Sequence, residues 1–183
     1  TQRTSSAASD VYKRQADRLL SNPHLVSETP LIYASICQLF CGNTTRPVIS
    51  IDWSDLDDRK AHFLLRAAIS LKGRPVTLYQ EVHCNKTKEK PATHKAFLKT
   101  LHAMLPSNCR PIIVTDAGYK SPWFRAVRAL GWDIIGRIRK PHFYSLDRGD
   151  TWQCIRYLYT QATCRPKRFD NSQIVRSNPF ACT

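Results

Sequence analysis

Two short apolar runs, each ending in an aspartate, place the strongest constraint on how this chain can fold. The first run, VISIDW, reaches Asp52, and the second, IIVTDAG, reaches Asp116. Short apolar runs bounded by turn residues are typical of strands buried in a sheet. If these two strands lie parallel and adjacent, their carboxyl ends share one edge of the sheet and the two carboxylates become neighbours.

The rest of the pattern predicts a mixed α/β sheet. Helices are expected at 27–42, 94–105 and 121–131, and further strands at 61–71, 75–82, 111–116 and 132–140. The order strand, strand, strand, helix, strand, helix, strand implies an antiparallel meander followed by βαβ units, with helices on the faces of the sheet. The turn between the second and third strands is expected at Gly73.

Two helix starts are predicted from capping residues. Ser27 is expected to cap the first of these helices, with Pro30 in its first turn. Ser121 is expected to cap the last one, with Pro122 at its first position and Gly131 at its end.

The charge of the chain favours a polyanionic partner. Lys and Arg number 28 against 14 acidic residues, which gives a net charge of +14. Such an excess attracts nucleic acid through its field and through counterion release. A ribosomal protein, a membrane-surface protein or a basic fragment is the alternative. No run approaches the 18 or so apolar residues that a membrane span needs, and the head has no signal-peptide core.

The seven cysteines indicate neither a disulfide framework nor a zinc knuckle, because their number is odd and no CxxC pair occurs. Cys37 and Cys41 are four residues apart on an expected helix, which predicts a buried apolar pair on one face rather than two metal ligands. Reduced, cytosolic thiols are the simplest interpretation.

Two adjacent carboxylates repel each other unless a cation lies between them. Mg²⁺, or Mn²⁺ in its place, takes oxygen ligands and leaves positions open for phosphate, and a pair of such ions can clamp a phosphodiester during displacement. We therefore predict Asp52 and Asp116 as catalytic metal ligands. The alternative is that both are ordinary strand-end groups, with Asp116 capping its loop through Gly118.

Several segments, in this order and spacing, resemble the DDE transposases of the insertion-sequence-4 type. They are RQADRLLSN from residue 14, IDWSD from 51, LLRAAISLKGRPVTLYQEV from 64, LPSN from 105, VTDAGYKSPWFRAVRALGWD from 114, RIRK from 137 and SNP from 177. The resemblance runs from about residue 16 to the end. It maps the first two acids of the family onto Asp52 and Asp116.

The resemblance implies a ribonuclease-H-like core that performs cut-and-paste DNA transposition with Mg²⁺. Its domains would be the end of a helical DNA-binding region at 16–45, the first five strands of the core at 46–140 and the start of a β-rich insertion at 141–183. Residues 1–15 are expected to be a disordered or artefactual head. The partners would be transposon ends and target DNA, with no membrane. A homodimeric parent protein and a cytoplasmic, nucleoid-associated location in bacteria are also implied.

The third acid of the family, a Glu beyond the insertion, is missing. The three glutamates are Glu28, Glu81 and Glu89, and none follows Asp116. We therefore expect an incomplete, inactive transposase fragment that stops before its third ligand. The alternatives are a non-catalytic DNA-binding remnant and a ribonuclease-H-like nuclease that uses another acid.

Four basic residues near the predicted site are candidates for DNA binding. Lys120 and Arg125 follow Asp116 closely, and Arg137 and Arg139 alternate on the expected fifth strand and so share a face. For Trp53 and Trp123, which flank the site in sequence, core packing is favoured over base stacking.

Overall fold

The computed structural model describes residues 3–182, with side chains from Asp10 onward. The helices are α1 (Arg3–Leu20), α2 (Leu25–Cys41), α3 (Pro91–Met104), α4 (Ser121–Ala129) and α5 (Arg156–Thr160). The strands are β1 (Val48–Asp55), β2 (His62–Leu71), β3 (Arg74–Cys84), β4 (Ile112–Thr115), β5 (Asp133–Gly136), β6 (Phe143–Ser145), β7 (Gln153–Cys154), β8 (Ser172–Ile174) and β9 (Phe180–Cys182).

The main sheet has five strands in the order β3-β2-β1-β4-β5. Strand β2 is antiparallel to both β1 and β3, whereas β4 is parallel to both β1 and β5. An antiparallel meander extended by parallel strands through helical crossovers is the ribonuclease-H-like arrangement. The predicted mixed α/β fold class is therefore confirmed.

The β2–β3 hairpin forms where the sequence predicts it. Leu71 pairs with Arg74 across the turn, and Gly73 there has a φ of +96°. Glycine adopts this left-handed conformation without a steric penalty, which explains why the helix-like segment LLRAAISL folds as a strand instead.

Helices α2, α3 and α4 pack into one core with the main sheet. Phe97, Leu98 and Leu101 form the predicted apolar stripe of α3 and are at most 1% exposed. They belong to the same cluster as Ile49 of β1 and Ile113 of β4. Each such side chain contributes about 1.5–3 kcal/mol by leaving water, so this cluster fixes the positions of the two central strands.

The cysteine prediction is confirmed. Cys37 and Cys41 lie on one face of α2 with 0% exposure, beside the buried Cys109. Burial raises the pKa of the Cys37 thiol to about 11 and that of the Cys41 thiol to about 12, with a further contribution from Cys109. All seven cysteines, which lie in the described part of the chain, are free.

Both capping predictions are wrong. Helix α2 begins at Leu25, so Pro30 lies inside it, because the Ser27 hydroxyl donates to the His24 carbonyl oxygen (2.8 Å) rather than accepting from the backbone. Helix α4 begins with Ser121 itself, and the N-cap residue is Lys120, which makes no side-chain cap. The Ser121 hydroxyl is buried and has no hydrogen-bond partner among the described residues, so it does not cap the helix.

Strand β5 is shorter than predicted and ends at Gly136, so the segment from Arg137 to Lys140 is not part of it. Its partner β4 ends at Thr115, and the chain then turns away, which leaves the Arg137 N–H a last bond to the Thr115 carbonyl oxygen at 3.4 Å. At the opposite end of β5, Asp133 pairs with Arg46 at 2.6 Å.

The segment after residue 142 forms a second sheet of four short strands in the order β7-β6-β8-β9. It contacts the core through α4 and β9, where the Phe124 and Phe180 rings lie 5.5 Å apart.

At the other end of the chain, α1 spans Arg3–Leu20 and its described side chains are exposed. Within the described residues, no helix is long and apolar enough to cross a membrane.

Replacing Gly136 with alanine is expected to destabilise the fold. The added Cβ would lie 2.9 Å from Cε1 of the buried Phe124 ring, so the ring or the strand must shift. We expect Gly136→Ala to lower the free energy of unfolding by about 1–3 kcal/mol, measured by urea denaturation. Ile135→Ala on the same strand is the control, because Ile135 is 60% exposed. Equal losses in the two variants would contradict this account.

Candidate functional site

The two aspartates lie at the same level on neighbouring parallel strands. Strands β1 and β4 pair in the register Val48 with Ile112 and Ser50 with Val114. Counted on by two residues, this register sets Asp52 opposite Asp116, which is the first residue after the end of β4. Paired strands in a sheet run about 4.8 Å apart. The predicted juxtaposition of the two acids at the carboxyl edge therefore follows from the sheet itself.

One oxygen of each carboxylate is used by the backbone. Asp52 Oδ1 accepts from the Trp53 N–H at 2.8 Å, and Asp116 Oδ1 accepts from the Gly118 N–H at 2.8 Å. The contact with Gly118 shows that Asp116 also caps its own loop, as expected if it were an ordinary strand-end residue. Among the described residues, neither Oδ2 atom accepts a hydrogen bond, so each acid keeps one oxygen available for a ligand.

The site is electrostatically unbalanced. In the part of the chain that the structure describes, no lysine or arginine pairs with either acid, despite the large positive net charge. The pKa of Asp52 is raised by burial and by the charge of Asp116, against the Trp53 hydrogen bond and Arg66 on β2, which lower it. A bound cation would relieve this repulsion.

Both acids line a cavity of about 240 Å³. Its other lining residues are Trp53, Lys88, Glu89, His94, Gly118, Tyr119 and Arg139. The sequence did not indicate Glu89, His94 or Tyr119 as site residues. His94 had a detectable signal, since it lies one helical turn before the Phe97–Leu98 stripe of α3.

An aromatic wall closes the buried side of this cavity. His94, which is 7% exposed, accepts from the Trp53 indole N–H through Nε2 at 3.1 Å and packs edge-on against Trp123. Burial, with a smaller effect of His83, lowers the pKa of His94 to about 4. His94 is therefore neutral at neutral pH and carries its proton on Nδ1.

Tyr119 completes the wall and has an unusual hydroxyl. The residue is 5% exposed, and its Oη has no hydrogen-bond partner among the described residues. Burial raises its pKa, and the charges of Asp52, Asp116 and Glu89 raise it further. An unpaired buried hydroxyl costs about 1–3 kcal/mol, so a group that satisfies it would be stabilised in the cavity.

The four basic residues predicted to bind DNA are not all at the cavity. Arg139 lines it, whereas Lys120 and Arg137 are exposed outside it. Arg125 donates instead to the Pro179 carbonyl oxygen at 2.7 Å and so holds the second sheet. Trp123 is 1% exposed and packs in the core, and Trp53 is half-buried.

The donors at the cavity fit a hard, hydrated cation. Carboxylate oxygens are the ligands that Mg²⁺ and Mn²⁺ prefer, and these ions commonly keep several waters. Across residues 3–182, no three His, Cys, Asp or Glu side chains converge closely enough to enclose an ion. Asp52 and Asp116 would thus be the protein ligands, with water or phosphate at the remaining positions.

A larger cavity of about 750 Å³ lies at the opposite end of β4 and β5 and includes Arg46, Arg128 and Arg148. Its one acid, Asp133, is already paired with Arg46. This cavity has no group suited to phosphoryl transfer, so we assign the candidate site to the smaller cavity at the two aspartates.

The buried histidine is expected to make the fold sensitive to acid. An unfolded His94 would bind its proton near pH 6.5, whereas the folded one does so near pH 4. As pH falls from 6.5 to 4, the unfolded state takes up the proton first and the fold loses up to about 3 kcal/mol. Urea denaturation at several pH values should show a smaller loss over this range in His94→Gln, which does not titrate. Parallel pH profiles would contradict the assignment.

Comparison with known proteins identifies a family for this chain. A family profile described as a transposase DDE domain matches residues 44–178, which include both aspartates. A search of curated proteins found no match. Among solved structures, the chain is similar to the Mos1 transposase catalytic domain in its structure with raltegravir and Mg, with 11% identity and a TM-score of 0.39. The matched region spans 62% of this chain and 62% of the length of that structure.

The family profile extends over most of the chain, from the residues before β1 to those before β9. It therefore includes the whole main sheet, both acids and the greater part of the second sheet. On this evidence, the chain belongs to the transposase DDE domain family.

Proposed function

We propose that this chain carries the catalytic core of a cut-and-paste DNA transposase of the insertion-sequence-4 type. The observation that carries the proposal is that Asp52 and Asp116 lie at one edge of a sheet in a strongly basic chain and form no salt bridge with any lysine or arginine that the structure describes. Asp133, in contrast, is paired with Arg46 at 2.6 Å. Unpaired acids side by side are instead suited to a cation.

In this proposal Asp52 and Asp116 hold Mg²⁺, or Mn²⁺ in its place, through their free oxygens. A bound divalent cation would polarise a phosphodiester and favour deprotonation of the attacking water or hydroxyl. The chain's own contribution is to fix the two carboxylates through the Trp53 and Gly118 N–H groups and to keep water from one side with the aromatic wall. The remaining open side leaves room for a DNA strand.

The DNA would be held by positive charge around the cavity. Arg139 at the cavity and the exposed Lys120 and Arg137 are the candidates for phosphate contacts. Arg125 would act indirectly, since its guanidinium is bonded to the Pro179 carbonyl oxygen. Phosphate neutralisation of this kind gives affinity that falls steeply with salt.

The family's third acid limits what the chain does alone. No glutamate follows Asp116 in this sequence, although the family places its third acid later in the chain. We propose that this chain does not complete transposition by itself. This observation also favours a second candidate function, that of a DNA-binding remnant without catalysis. A third candidate, a nuclease that uses another acid, would differ from both of these because it would nick DNA.

The other partners follow from family membership. We propose transposon ends and target DNA as the substrates, a homodimer as the working form of the parent protein and the bacterial nucleoid as its location. These substrates, the homodimer and the location depend on the transposase assignment. The proposed metal site does not depend on any of them.

Titration with Mn²⁺ tests the proposed metal site. We expect the unmodified chain to bind Mn²⁺ and both Asp52→Asn and Asp116→Asn to weaken binding by about tenfold or more, because each removes a charged ligand. Asp58→Asn in the exposed β1–β2 loop is the matched control and should bind like the unmodified chain. Calorimetry gives the dissociation constants. Unchanged binding in both site variants would remove the basis for the proposal, and plasmid nicking with Mg²⁺ that Asp116→Asn abolishes would show that the chain is active.

Arg139→Gln tests the proposed DNA surface. We expect weaker binding of a duplex oligonucleotide and a salt dependence reduced by about one counterion, because one phosphate contact is lost. Arg74→Gln is the control, since Arg74 is exposed at the β2–β3 turn, at the opposite edge of the sheet. Fluorescence anisotropy at several salt concentrations measures both quantities. If the two variants behave alike, Arg139 has no specific role in binding DNA.

A further inference from the structure

The loop between β3 and α3 brings a third carboxylate to the cavity. Glu89 lines it together with Asp52 and Asp116, although it lies well before Asp116 in sequence. Its backbone has a φ of +58°, in the left-handed region that residues other than glycine seldom adopt. The surrounding structure must therefore hold this conformation.

Contacts on both sides of Glu89 hold the loop in place. Lys88 Nζ lies 3.8 Å from Asp55 Oδ1, at the end of β1, and 3.8 Å from the centre of the Phe63 ring on β2. On the other side, the Thr93 hydroxyl donates to the Thr87 carbonyl oxygen at 2.8 Å. Among the described residues, Lys88 forms no salt bridge with Glu89 or with the two site aspartates.

The Tyr119 hydroxyl is an independent sign of a missing ligand in the same cavity. Tyr119 is 95% buried, being 5% exposed, and its Oη has no partner in the part of the chain that is described. After burial, the charges of the three cavity carboxylates, Asp52, Asp116 and Glu89, all raise the pKa of Tyr119. The waters of a hydrated cation could donate to both this hydroxyl and a nearby carboxylate, which would satisfy each of them.

We propose that Glu89 and Tyr119 form an outer shell for the cation held by Asp52 and Asp116, each accepting a hydrogen bond from a cation-bound water. This inference rests on the proposed function and extends it to two residues outside the family's acidic triad. Glu89 does not replace the missing third acid. It raises the affinity for the hydrated ion.

The geometry favours contact through water over direct coordination. Among the described residues, no three acidic, histidine or cysteine side chains approach closely enough to enclose a bare ion. Glu89 nevertheless lines the same cavity as both aspartates, so cation-bound water can connect it to the ion. Outer-shell groups of this kind orient the ligands and typically change metal affinity by about 10–100-fold.

Calorimetric titration of the full chain with MnCl₂, without DNA, tests the proposal. We expect Glu89→Gln to raise the dissociation constant for Mn²⁺ by about tenfold, and Tyr119→Phe to raise it in the same direction. Glu28→Gln is the matched control, because it makes the same change of charge at an exposed position on α2 and should stay within about twofold of the unmodified chain.

Urea denaturation without metal separates a lost contact from lost packing. Tyr119→Phe removes an unpaired hydroxyl, so its unfolding midpoint should be unchanged or higher. A lower midpoint would overturn the role of Tyr119, and a dissociation constant of Glu89→Gln equal to that of Glu28→Gln would overturn the role of Glu89. If Asp116→Asn alone weakens binding, the outer shell is rejected and the proposed function stands. If the unmodified chain does not bind Mn²⁺, both are rejected.

Discussion

The parallel pairing of β1 with β4 is the interaction on which the site depends. It brings together two segments that are about sixty residues apart and sets them in a register that carries Asp52 to the level of Asp116. Because side chains alternate along a strand, a shift of one residue would send one of the acids to the other face of the sheet. The buried Ile49 and Ile113 oppose such a shift, since it would expose one of them.

The site is held together at the expense of favourable electrostatics. A chain with this excess of lysine and arginine has many cations available, yet among the described residues none forms a salt bridge with Asp52 or Asp116, and Lys88 at the cavity pairs with Asp55. A buried histidine that stays neutral lies beside the acids, together with a tyrosine whose hydroxyl has no partner among the described residues. Such local conflicts with the rest of the fold are typical of functional sites.

The sequence predicted the main sheet because its signals are local. Apolar runs, the turn at Gly73 and the α3 stripe each depend on a few neighbouring residues, and the two aspartates followed from the strand order. Glu89 could not be predicted, because the family pattern places its third acid after Asp116 whereas Glu89 precedes it. Tyr119 and the early end of β5 depend on which residues lie opposite them in space, and Ser121 was misread as a cap because its burial is a tertiary effect.

The way in which α4 holds the second sheet has a consequence for self-association. Strand β9 is at the edge of that sheet, and such edges offer unpaired backbone groups to other chains. Here the Arg125 and Arg128 guanidinium groups bind the Pro179 and Ala181 carbonyl oxygens, and Arg128 also lies over the Phe180 ring. Carbonyl oxygens that an incoming strand would use at this edge are therefore already bonded, which disfavours the pairing of another chain with β9.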